Sequence, residues 1–153
     1  MWNLKFHFTE EEIVFYLTEV IINDNMMTRR EVIKVFELEF YMKENGKIPV
    51  QDFLYSLNPK LRAKAFSDIE LLKKLGNELK EPYVKPLKGK NNKGMYELRI
   101  KFSSDIARIF YFTYYKNKFV LLHGFIKKTM KTPEKEINKA RKYMEDYKRR
   151  IEL

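Results

Sequence analysis

MYELRIKFSSDIARIFYFTYYKNKFVLLHGFI, residues 95–126, reads as three consecutive strands. Its opening octet alternates, with Tyr96, Leu98, Ile100 and Phe102 on one side and Glu97, Arg99 and Lys101 on the other, which is the period of a half-buried strand. IARIFYFTYY, residues 106–115, is apolar on both sides apart from Arg108, as a central strand is. Lys116, Asn117 and Lys118 turn the chain into KFVLLHGFI, the last strand. The links between these three runs are short, and short links imply antiparallel neighbours.

Outward from this centre the periodicity changes. VIKVFELEFY, residues 32–41, is β-branched and aromatic and reads as a strand; NGKIP breaks it. PVQDFLYSL sets Val50, Phe53, Leu54 and Leu57 at helical spacing. Asn58 is placed as an N-cap with Pro59 at the first helical position. Leu61, Ala65, Ile69 and Leu72 form the inward stripe of that second helix, and Gly76 stops it. After the strands, Thr132 reads as the cap of a final helix, with Pro133 at its first position and Glu134 and Glu136 in its first turn. Its stripe is Ile137, Ala140, Met144, Tyr147 and Ile151. The expected order is therefore β-α-α-β-β-β-α. The class is α+β, a small twisted, mostly antiparallel sheet with helices packed on one face. The uncovered face carries Arg99 and, in the matching register, Arg108.

Composition bounds the chemistry. A chain of 153 residues is sized for one domain with a real core. Its 44% hydrophobic content, with 12 Phe and 10 Tyr, opposes disorder. Cysteine is absent, which excludes thiol nucleophiles, disulfides and cysteine–zinc sites. His7 and His123 are too isolated to suggest a histidine-rich metal site, and no apolar run approaches a membrane span. The acidic run at 10–12 is unlike the cationic start of a signal peptide, so a cytoplasmic location with no membrane partner is expected. Residues 1–27 differ in character from the rest and are expected to be a dispensable or untranslated extension.

Charge is unevenly divided. Residues 1–84 hold 12 Lys/Arg against 14 Asp/Glu, and residues 85–153 hold 19 against 7. The second half has a field suited to nucleic acid or an acidic partner, or simply to solubility. It has no Ser-His-Asp grouping and no glycine-rich phosphate loop, since Gly89 and Gly94 read as turn residues. Glu97 and Asp105 are too few acids for a metal that takes six or more oxygens. Lysines, arginines, tyrosines and one histidine remain. Such a set suits RNA cleavage, because RNA carries its own nucleophile, the 2′-OH. Arginine can hold the phosphate bidentately, and a lysine whose neighbours lower its pKa can move a proton.

The run YELRIKFSSDIARIFYFTYYKNKFVLLHGFIKKTMKTPEKEINKARKYMEDYKRR, with PYVKPLKG and a helix pair before it, resembles the phage-derived HigB-like branch of the RelE/ParE toxin superfamily. The resemblance begins at about residue 31. It divides the chain into an extension, residues 1–30, and a RelE/HigB-like toxin domain, residues 31–153. It implies a ribosome-dependent, metal-independent mRNA endonuclease with no cofactor, the toxin of a type II toxin–antitoxin system. Its partners are then mRNA on the ribosome and a cognate helix-turn-helix antitoxin. By resemblance, Arg99 and Arg108 hold the phosphate and Lys128 stands at the edge of the site, while Lys101 and Lys127 contact RNA. A tyrosine found after the last strand in RelE members is missing here, which leaves proton transfer to Lys128 or His123. His123 lies among apolar neighbours and reads equally as a buried, hydrogen-bonded residue. Lys88 and Lys131 are RNA-binding candidates whose alternative is a solvated loop. Two rival readings stay open: a ParE-like toxin that binds gyrase without cutting RNA, and a phage-derived nucleic-acid-binding protein.

Overall fold

The computed structural model describes residues 36–115 and 117–152. The expectations for the N-terminal extension, for the first residues of the opening strand and for Lys116 lie outside the described residues. The elements run β1 (Glu37–Phe40), α1 (Pro49–Ser56), α2 (Pro59–Leu75), β2 (Val84–Pro86), β3 (Met95–Phe102), β4 (Asp105–Tyr114), β5 (Lys118–Ile126) and α3 (Glu134–Ile151), with single 3₁₀ turns at Gly76–Glu78 and Lys90–Asn92.

The strands form one sheet in the order β1-β5-β4-β3-β2. The β3-β4-β5 meander is antiparallel, as its short links require, and β2 adds an antiparallel edge beside β3. β1 pairs with β5 in parallel, so the sheet is mixed. β4 is its central strand. β2 is an addition to the expected order. Three residues ending in Pro86 carry too little pattern to be read from sequence, and an edge is where a proline fits, since it has no N–H to give a further neighbour.

The expectation that helices cover only one face is corrected. α1 and α2 lie on one face, where Leu54, Leu61, Ala65, Ile69 and Leu72 are buried with Leu98, Ile100, Ile109 and Leu121. α3 lies on the other, where Ala140, Met144 and Tyr147 meet Phe110, Phe112, Val120 and Leu122. The reason is in β4 itself: a strand apolar on both sides needs cover on both sides.

Local signals set the ends of the helices. Asn58 Oδ1 accepts from Leu61 N at 2.9 Å, and Gly76 ends α2 with φ +54°. At α3 the cap is Pro133, not Thr132: the Glu136 amide bonds the Pro133 carbonyl at 3.0 Å, and α3 begins at Glu134. Pro133 at φ −65°, ψ 133° is still extended, which shifts the start by one residue.

Candidate functional site

α3 crosses the sheet without covering all of it. Alternation puts Met95, Glu97, Arg99 and Lys101 of β3 on the α3 side, because Leu98 and Ile100 belong to the α1–α2 core. The tight turn after β3 fixes the register so that Arg99 lies directly opposite Arg108. The next strand continues the row with Phe125 opposite Arg108. One row nearer the sheet end, Lys101 pairs with Ile106, whose carbonyl accepts from the Lys127 amide at 2.8 Å. The two arginines therefore leave neighbouring strands side by side on one face.

A single carboxylate stands against both. Glu97 Oε1 lies 3.7 Å from Arg99 Nε and 3.6 Å from Arg108 Nε. At these lengths it offsets charge without hydrogen bonding, and both Nε atoms are buried with no hydrogen-bond partner. The side chains differ in access: Arg99 is 32% exposed, Arg108 7% and Glu97 9%. Arg99 also has Glu81, an exposed residue, 3.7 Å from Nη1. Arg108 is held from below by its Nη1 donating to the Ala107 carbonyl at 2.8 Å. Burial pushes the Arg108 guanidinium below its ordinary pKa; Glu97 opposes that and the like charge of Arg99 adds to it. The arrangement is a guanidinium pair with donors unspent, one arm at the surface and one beneath.

His123 is engaged by α3 rather than by the arginine pair. It is buried, and its Nε2–H donates to Glu136 Oε2 of α3 at 2.5 Å. A register shift at Phe110/Tyr111 places it there. That bulge leaves Leu122 without an opposite residue, so Leu122 and His123, consecutive in sequence, both meet the α3 side. Burial lowers the pKa of His123, and the bond and charge of Glu136 act against that, with Lys139 and Lys43 lowering it further.

The lysines divide into engaged and exposed. Lys127 donates its ammonium to the Thr129 and Met130 carbonyls at 2.6 and 2.5 Å, closing its own loop. Lys101, Lys128 and Lys131 are exposed at the same end of the sheet, and Lys88 is exposed on the loop before β3. The chain before β3 is tied to α3: Arg141 donates to Asn92 Oδ1 at 2.9 and 3.3 Å, and Asn92 donates to the Lys88 carbonyl at 2.6 Å. Sequence reading missed Asn92, Arg141 and Glu81 and gave Glu136 only a place in the first turn of the last helix, because a single polar letter does not say what it touches across the fold. From sequence Glu97 reads as a polar residue on the Arg99 side of β3, and its place against both arginines comes from the register.

These features define a small α+β domain with one sheet face half covered by a helix and half given to opposed arginines. Residues 52–145, more than half of the chain, match the family described as Phage derived protein Gp49-like (DUF891), and the chain belongs to that family. It is a toxin-like family of the RelE/HigB type. No curated protein matches the chain. Among the described residues no helix is long and apolar enough to cross a membrane.

Proposed function

We propose that this protein is the toxin of a type II toxin–antitoxin pair, acting in the cytoplasm as a ribosome-dependent, metal-independent mRNA endonuclease. The observation that carries the reading is the Arg99–Arg108 pair, opposed in register with both Nε donors unspent. A phosphodiester meeting Arg99 at the surface gains a bidentate partner, and Arg108 beneath adds a field that strengthens as the phosphorane-like transition state gathers negative charge. The message supplies the nucleophile, its 2′-OH, and Lys128 at the sheet end donates a proton to the departing 5′-oxygen. The exposed Lys88, Lys101 and Lys131 hold the surrounding RNA. A helix-turn-helix antitoxin completes the pair.

The test is primer extension on a translated message in cells expressing the wild type, Arg99→Ala, Arg99→Lys or Arg108→Ala. Wild type cuts within the reading frame and arrests growth, and each alanine variant loses on the order of 100- to 1000-fold in cleavage rate. Arg99→Lys recovers little, because a point charge lacks the two-pronged donor geometry. Growth arrest with an intact message and with gyrase-dependent supercoiling lost would transfer the case to the gyrase-binding reading.

A further inference from the structure

Transesterification by the 2′-OH needs a group to take its proton, and the described residues at the arginine pair offer few. His123 is bonded to Glu136 of α3 and faces the rings of Phe125 and Tyr143 rather than either guanidinium. Lys127 spends its ammonium protons on two carbonyls, which is the work of a donor. Lys101 and Lys128 are exposed, and an ammonium carries donors and no acceptor. Glu81 is mostly exposed and touches only the outer arm of Arg99. One carboxylate, Glu97, lies against both guanidiniums.

We propose that Glu97 is the general base of the cleavage reaction, a reading that rests on the nuclease function above. Phosphate held by Arg99 over Arg108 lies against the same carboxylate, because Glu97 Oε1 is within 3.7 Å of both Nε atoms. The 2′-OH of the nucleotide carrying that phosphate is then the hydroxyl nearest Glu97. Its proton passes to the carboxylate as the 2′-oxygen bonds to phosphorus. The P–O5′ bond breaks, and the 5′-oxygen takes a proton from Lys128. The products are a 2′,3′-cyclic phosphate and a 5′-hydroxyl end; Glu97 returns its proton to water and Lys128 takes one back, which restores both groups. Glu97 forms no hydrogen bond to either Nε, so its lone pairs are not committed to the arginines.

The experiment is single-turnover cleavage of a programmed ribosome complex by wild type, Glu97→Gln and Glu97→Asp. Affinity is measured in parallel on the same complex carrying a 2′-O-methyl nucleotide, which binds and cannot react. Glu97→Gln should lose about 100- to 10,000-fold in rate, the span of general base catalysis, with affinity within about threefold of wild type. Glu97→Asp keeps a carboxylate set back by one methylene and should fall between the two. Cleavage by Glu97→Gln within threefold of wild type overturns the proposal while leaving the nuclease reading in place. A rate loss matched by an equal loss of affinity also overturns it, since Glu97 would then only position the arginines. Should Glu97→Gln fail to fold, Glu97→Asp decides: an unchanged rate removes Glu97, and a reduced rate at unchanged affinity supports it. Wild type that never cuts overturns the nuclease reading and this one together.

Discussion

Two guanidiniums directly across a ladder repel, and Glu97, standing against both, offsets that repulsion at Arg99 and Arg108 together. Removing that carboxylate leaves Arg108 charged and nearly buried. Glu97→Ala is expected to lower unfolding free energy by roughly 3 kcal/mol, the cost of an uncompensated buried charge. Glu97→Ala with Arg108→Met should recover most of it, since an apolar pair of similar bulk needs no counter-charge; urea melts of both variants measure the difference. Equal destabilisation by the single and double variants would show that the ion pair is incidental to the fold. His123 gives a second residue-scale expectation. Its folded pKa lies below the ordinary value, so the unfolded chain binds its proton first as pH falls. The stability His123 contributes is complete above about pH 6.5 and declines as pH drops toward the folded pKa. Glu136 raises that pKa against the pull of burial. Glu136→Gln should therefore move the His123 NMR titration midpoint further down, and an upward move would show that Glu136 does not hold the charged form. The shared face of Arg99 and Arg108 was legible in the sequence for the matching register, because alternation determines it; the register itself is set by the two-residue turn between Phe102 and Asp105. The place of His123 was not legible.

The reason lies at the scale of elements. Strict alternation along β5 from Phe119 and Leu121 would send His123 toward α1 and α2, and the bulge at Phe110/Tyr111 reverses it. A one-residue bulge leaves no mark in the letters, yet it flips every side chain beyond it. Gly124 then returns to the α1 side, where an added Cβ would collide with the Phe53 ring. Gly124→Ala is expected to cost about 1–3 kcal/mol by overpacking at the α1–β5 contact, read as a lower melting temperature; an unchanged melt would mean that α1 shifts freely. The helices themselves were readable from spacing and caps, whereas the side α3 takes was not, since amphipathicity says that a helix is covered and not by what. α3 also disciplines the chain before β3 through Arg141 and the buried Asn92. Asn92→Ala removes the acceptor of Arg141 and the donor to the Lys88 carbonyl. Amide exchange across residues 88–93 should quicken in that variant while the β3–β4 ladder keeps its protection. Uniform quickening over both regions would instead mean global destabilisation.

Over the whole molecule, charge and core follow different divisions of the chain. The core joins α1 and α2 to one face and α3 to the other, while the whole of the net positive charge comes from residues 85–153, with 19 Lys/Arg against 7 Asp/Glu. Membership of a toxin-like phage-derived family fits a domain whose fold is held by apolar contacts and whose cations are largely left at the surface. Exposed lysines are poor contributors to stability, and each becomes useful when it displaces a counterion from a phosphate. If the protein works on ribosome-bound RNA, its affinity should fall steeply and linearly in log K against log salt. Lys128 and Lys131 are exposed and lie beyond the sheet, so replacing either with Ala should flatten that slope by about one unit and leave the melting temperature unchanged. Lys127 differs, because its ammonium also closes the Thr129–Met130 loop. Lys127→Ala should flatten the slope and, in addition, speed proteolysis at 127–131. The measurement is filter binding of the Arg99→Ala protein, alone and combined with each lysine variant, to programmed ribosomes carrying a 2′-O-methyl message across a potassium chloride series. Slopes indistinguishable among the four proteins would assign these lysines to solvent and leave binding to contacts elsewhere on the chain.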